Sequence, residues 1–153
     1  MLCRHLGLRA EETVQACQSL STWSKQLAQG KDTIRIIFGT KGNRPRNLTI
    51  LDGKRAGITE AVKFAAAVAK NQGGHLIEKP NLKEAMDHFH NEARALGLIE
   101  KNSPHSLRYL FAHEQFHQYE LAGYTRKEGL AQVALDLGHG DGRGRYVERV
   151  YLL

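Results

Sequence analysis

The chain has 153 residues, with 22 Lys and Arg against 16 Asp and Glu, and a net charge of +6 when the histidines are neutral. That length suits one domain with a single hydrophobic core, no apolar run approaches the ~20 residues that cross a bilayer, and Cys3 and Cys17 alone cannot build a disulfide scaffold. The positive balance favours an acidic partner, nucleic acid first, and reduced thiols without a signal segment fit a soluble, cytoplasmic protein that does not enter a membrane.

In chain order, Met1 to Ala16 reads as a helix with Leu6, Leu8 and Val14 available for a buried face, and the pattern breaks around Thr22 to Ser24. Thr33 to Phe38 is β-branched and bounded by Gly30 and Gly39, which predicts a strand. Gly39 to Pro45 is turn chemistry and Asn47 to Leu51 is a second strand, so the pair predicts a β-hairpin with a basic tip. Thr59 to Asn71 is a helix ended by Gly73-Gly74, and Leu82 to Leu96 is another closed by Gly97. Ser103 can cap, and Pro104 can open, a helix that runs to about Leu121. Thr125 caps a further helix that ends near Leu137 at Gly138. Gly138 to Arg145 holds four glycines and predicts a loop, after which Tyr146 to Leu153 forms a short last helix. The expected class is α+β: mainly helical, with one small antiparallel sheet.

Several short motifs carry chemistry. His105 and Arg108 are three apart, so both project from one face of a first helical turn. Unpaired N–H groups and the positive end of the dipole at such a turn suit a phosphate. A guanidinium grips two phosphate oxygens at once, and an imidazole exchanges a proton near neutral pH. Lys41 sits on the glycine-flanked tip Gly39-Thr40-Lys41-Gly42 with Arg44 and Arg46 beside it, three cations suited to a DNA backbone. Arg9 precedes Glu12 by one turn, which reads either as a held phosphate clamp or as an exposed helix pair worth under about 1 kcal/mol.

Taken together, Gly7-Leu8-Arg9-Ala10-Glu11-Glu12, the Gly-Thr-Lys-Gly turn, His105-Ser106-Leu107-Arg108, Leu137-Gly138-His139 and a late tyrosine resemble the catalytic domain of tyrosine recombinases, the phage-integrase family. The resemblance spans Arg9 to Tyr151, and it implies that residues 1–153 form one catalytic domain lacking the DNA-clamping domain that relatives carry before it. It implies that Arg9 and Arg108 clamp the non-bridging oxygens of a phosphodiester and that Lys41 protonates the leaving 5′ oxygen. His105 would assist proton transfer from the nucleophile, His139 would hydrogen-bond the phosphate, and Tyr151 would attack it. The product of attack is a 3′-phosphotyrosyl link, so strands are cut and rejoined without metal or other cofactor. Implied partners are double-stranded DNA and further copies of the chain on that DNA. Relatives place the tyrosine about nine positions after the histidine, where this chain has Glu148; Tyr146 and Tyr151 stand seven and twelve positions after His139. Tyr151 is preferred for its apolar flanks, with Tyr146 as the alternative.

Two other readings compete. A DNA-binding remnant without catalysis would keep the charge and the hairpin. His113-Glu114-Gln115-Phe116-His117 matches the spacing with which zinc peptidases hold a metal on one helix face. That reading needs a third ligand, and Gln118 to Tyr124 contains no histidine.

Overall fold

The computed structural model describes residues 1–153 and contains eight α-helices and a two-stranded sheet. The short helices α1 (Leu2–Leu6) and α2 (Ala10–Val14) are followed by a 3-10 turn and α3 (Leu20–Ala28). Strands β1 (Thr33–Ile36) and β2 (Arg46–Thr49) flank a tip that carries a 3-10 turn over Lys41–Asn43. Then come α4 (Asp52–Asn71), α5 (Leu82–Ala95), α6 (Ser106–Leu121), α7 (Arg126–Asp136) and α8 (Gly144–Tyr151). The mainly helical class with a small antiparallel sheet is as expected. No helix is long and apolar enough to cross a membrane.

One cluster of 25 buried residues joins these elements. Its largest members include Trp23, Phe111 and Tyr119, contributed by α3 and α6. Trp23 also donates its indole N–H to the Arg35 carbonyl at 2.8 Å, which pins α3 to β1 and satisfies a donor that burial would otherwise strand. In the hairpin, Ile34 pairs with Leu48 and Ile36 pairs with Arg46. Strand periodicity therefore sends Ile34, Ile36, Leu48 and Arg46 to the same inward face. Three are apolar and one is a cation, an arrangement that demands partners inside.

The strands are shorter or shifted against the expected spans, α6 opens at Ser106 with no side-chain cap rather than at Pro104 under Ser103, and four further differences have a physical reason. Met1 to Ala16 is not one helix. The Gly7 carbonyl is withdrawn from helical bonding and accepts from the Arg108 guanidinium, while the Arg9 backbone N–H donates to Glu12 Oε2 at 2.8 Å and starts α2 afresh. The apparent break at Thr22 to Ser24 lies inside α3, because Trp23 anchors that helix through burial rather than through propensity. Helix α4 begins at Asp52, seven residues before the expected Thr59. Gly53 and Gly57 weaken that first stretch as an isolated helix, yet they let it pack closely, since a Cβ on Gly57 would stand 2.7 Å from the His5 ring. Helix α8 starts at Gly144 rather than Tyr146, and its buried Val147 and Tyr151 are one turn apart on the face that meets α7.

Candidate functional site

The site is assembled at the junction of the α1–α2 turn, the hairpin, α6 and the α7–α8 loop. A cleft of about 650 Å³ is lined there by Arg9, Lys41, Arg44, His105, His139 and Tyr151. Five of the six residues expected to be catalytic thus meet at one surface, although they come from positions 9 to 151. The sixth, Arg108, has no exposed surface and lies beneath it. Its guanidinium donates to the Gly7 carbonyl and, at 3.0 Å, to the Leu137 carbonyl. Arg9 reaches the same Leu137 oxygen at 3.2 Å, so the two guanidinium groups are neighbours. The Arg108 Nε has no hydrogen-bond partner.

Tyr151 is 4% exposed, and its hydroxyl lies 3.0 Å from His139 Nε2. Its ring packs against Tyr109 at 4.9 Å between centroids, and Tyr109 in turn meets His105 edge-on at 5.6 Å. Tyr109 was not singled out from the sequence. Its signal was position: one residue after Arg108 and one helical turn after His105, on a helix whose start already carried the chemistry. Tyr146 also borders the cleft, but it contacts His139 through its ring, at 5.0 Å. Arg143, one of three arginines with Arg145 and Arg149 that crowd the C-terminal end of the sequence, also borders the cleft, from the glycine-rich loop.

Electrostatics set the protonation of this cluster. Burial, followed by the charges of Arg108, Arg9, Arg46 and Lys41, pushes the His139 imidazole down to about 4. Burial, then Arg108 and Arg9, lowers His105 as well. Both rings are therefore neutral near pH 7, and a neutral ring nitrogen can accept a phenolic hydrogen bond. Burial and the neighbouring guanidinium groups bring Arg108 down to about 10, which leaves it charged at neutral pH. Burial would raise the Glu12 carboxyl, but the charge and hydrogen bonds of Arg46, with the contacts from Arg9, outweigh it and hold the group below its usual range.

Arg46 corrects an expectation. The sequence groups it with Lys41 and Arg44 as a DNA contact, and the structure puts it inside, 6% exposed. Its Nε and Nη2 form a fork onto Glu12, at 3.2 and 2.9 Å, and its Nη1 donates to the Asp136 carbonyl. The in-register alternation of Arg46, Leu48 and Ile50 was the signal that could have found this. Arg9 and Glu12 are likewise not an exposed pair, because the Glu12 side chain is fully buried.

Asp136 is a further group the sequence did not flag. Its buried carboxylate accepts from the Thr49 backbone at 3.1 Å, from Gln115 at 2.8 Å and from the Tyr119 hydroxyl at 2.7 Å. The hairpin, α6 and α7 are therefore tied to one carboxylate three residues before His139. The His113–His117 segment is organised differently. His113 and His117 are exposed, Glu114 is bound by Arg4 and by Lys54 at 2.5 Å, and no three potential metal-binding side chains gather anywhere in the chain.

Chemically, the cleft can hold a tetrahedral anion between guanidinium and ammonium groups and present a phenol held by a neutral imidazole. Among known proteins, the family model described as Integrase matches residues 1–114. No curated protein and no solved structure matches the chain. The matched span includes Arg9, Lys41, His105 and Arg108 and covers 114 of the 153 residues, so the chain belongs to the integrase family, the enzymes of site-specific recombination.

Proposed function

We propose that this chain cuts and rejoins DNA as a tyrosine recombinase, with Tyr151 as nucleophile and residues 1–153 as the catalytic domain. The single observation that carries the reading is convergence: Arg9, Lys41, His105, His139 and Tyr151 border one cleft, with the Tyr151 hydroxyl against His139 Nε2 at 3.0 Å. Tyr146 offers its ring to the same imidazole and no hydroxyl contact, which favours Tyr151 between the two.

In this reaction the Tyr151 oxygen attacks the phosphorus of a backbone phosphodiester. The bond to the 5′ oxygen breaks, and Lys41 gives that oxygen its proton. The phenolic proton passes to an imidazole. Contact favours His139 for this step, with His105 separated from Tyr151 by the Tyr109 ring, whereas the resemblance implied His105. Arg9 meets the non-bridging oxygens from the cleft, and Arg108 adds its charge from below. Attack of a 5′-hydroxyl on the phosphotyrosine reverses these steps and joins the new strand, so bond energy is kept in the covalent intermediate. Double-stranded DNA is the substrate, contacted by Lys41 and Arg44, and affinity falls steeply with salt as phosphate contacts release counterions. Strand exchange needs several active sites at one junction, so further copies of the chain assemble on the DNA.

A nicked suicide duplex that traps the covalent intermediate tests the reading. The wild-type chain forms a protein–DNA adduct, also in the presence of a chelator, and Tyr151→Phe abolishes it while Tyr146→Phe does not. DNA binding without any adduct would identify a remnant that has kept only the binding surface. Dependence on added zinc would return attention to His113 and His117.

A further inference from the structure

The α1–α2 turn carries Arg9, the hairpin carries Lys41, and the end of α7 leads into His139. These three segments are far apart in the chain, and a recombining phosphate needs their side chains in one fixed arrangement. What joins them is a buried cation. Arg46, at the start of β2, sends two nitrogens onto Glu12, one onto the Asp136 carbonyl, and Nη2 toward the Gly7 carbonyl at 3.5 Å. Glu12, in turn, holds Arg9 by its backbone N–H at 2.8 Å and by Nη1 at 3.2 Å.

We propose that Arg46 is a positioning residue for strand cleavage, its buried guanidinium setting the register between the segments that bear Arg9, Lys41 and His139; the inference rests on the recombinase reading above. The geometry supports this over a DNA contact, because the Arg46 side chain is 5% exposed and its nitrogens are engaged within the protein. A lysine cannot substitute, since a guanidinium makes three directed contacts in one plane and an ammonium is a point charge on a flexible stem. Register matters because a misplacement of ~1 Å in reacting groups can cost about 100-fold in rate.

The test is Arg46→Lys, which preserves the charge and removes the fork. Folding is checked by a cooperative thermal melt, and all rates are taken well below the midpoint. The expected result is a rate of covalent adduct formation about 100-fold lower at saturating DNA, with the salt dependence of DNA binding unchanged. A direct DNA contact would do the opposite: Arg46→Lys would leave cleavage at saturation intact while Arg46→Gln, which removes the charge, would lower the salt slope by about 0.9 for one lost phosphate, and that pair of outcomes overturns the proposal. So does a folded variant with wild-type binding and wild-type cleavage. Should Arg46→Lys fail to fold, the paired change Glu12→Gln with Arg46→Gln, which removes both buried charges together, is put through the same measurements.

A second readout needs no activity. In the DNA-free chain the His139 titration, followed by NMR of its imidazole, starts from about 4. Arg46→Lys moves it upward toward the ordinary imidazole range, because the loop loosens while the neighbouring charge is retained. An unmoved midpoint overturns the inference. A wild-type chain that forms no adduct would overturn the recombinase reading alone, and the His139 titration would still decide the role of Arg46.

Discussion

Two glycines of one loop offer a controlled measurement of how tightly the site is packed. Gly138 (φ 77°) and Gly140 (φ 81°) share the left-handed conformation, so alanine at either position pays about 1–2 kcal/mol for its Cβ. Their surroundings differ. A Cβ on Gly138 would lie 2.7 Å from Arg46 Cδ and 3.5 Å from Arg9 Nη1, whereas nothing lies within 4 Å of one on Gly140. Arg46 cannot swing aside, because Glu12 and the Asp136 carbonyl hold it. Gly138→Ala therefore carries an overpacking penalty of about 1–3 kcal/mol that Gly140→Ala escapes. For a chain of this size that difference corresponds to a melting point lower by roughly 2–12 °C. Paired thermal melts at neutral pH read it directly. Coincident melting points would show that Arg46 is not fixed against the loop, and would undo the reasoning about the site's rigidity.

Two more expectations follow from the charges. His139 is held down to about 4 by burial and by four surrounding cations, and an anion in the cleft neutralises part of that field. Its pKa rises on binding, so sulfate, whose own charge is constant in this range, binds more tightly as pH falls from 6.5 toward 4. The full shift would allow roughly 300-fold, and solvent access to the ring reduces this to about tenfold; calorimetric titration at pH 7 and pH 4.5 measures it, and an affinity that does not vary with pH, or that varies equally in His139→Gln, refutes it. Glu114 behaves in the opposite sense. Burial would raise its carboxyl, but hydrogen bonds and charges from Arg4 and Lys54 pull it down to about 2 from 4.5. A depressed carboxyl contributes stability that is complete above pH 4.5 and is lost as pH falls toward 2. With a third of the side chain exposed, Glu114→Gln costs about 0.5–1 kcal/mol at pH 7, and urea unfolding should find that the deficit vanishes near pH 2. A deficit of the same size at both pH values would rule out the ion pairs as its source.

Much of the fold was legible because its signals are local. The hairpin came from β-branched runs around a glycine-flanked turn, α5 from helical spacing closed by Gly97, and α7 from the Thr125 cap, whose side chain and Glu128 satisfy each other's backbone donors. The errors fell where long-range contacts override local preference. Gly53 and Gly57 argue against a helix in isolation, and only packing against His5 and Gln118 makes α4 begin at Asp52. Trp23 looked like part of a break because its partner, the Arg35 carbonyl, is supplied by another element.

The order of Arg9, Lys41, His105, Arg108, His139 and Tyr151 along the chain was enough to suggest the chemistry proposed for this protein, since each residue type has its own donor, charge or nucleophile regardless of fold. Whether each group faces a substrate was beyond its reach. Arg44 and Arg46 are identical side chains two positions apart, and one lines the cleft while the other is buried against Glu12. Arg46 enters β2 on its inward face and meets the carbonyl at the end of α7, whereas Arg44 belongs to the tip before the strand begins. Tertiary structure decides it because a buried guanidinium is tolerated only where distant parts of the chain together supply its counter-charge and acceptors.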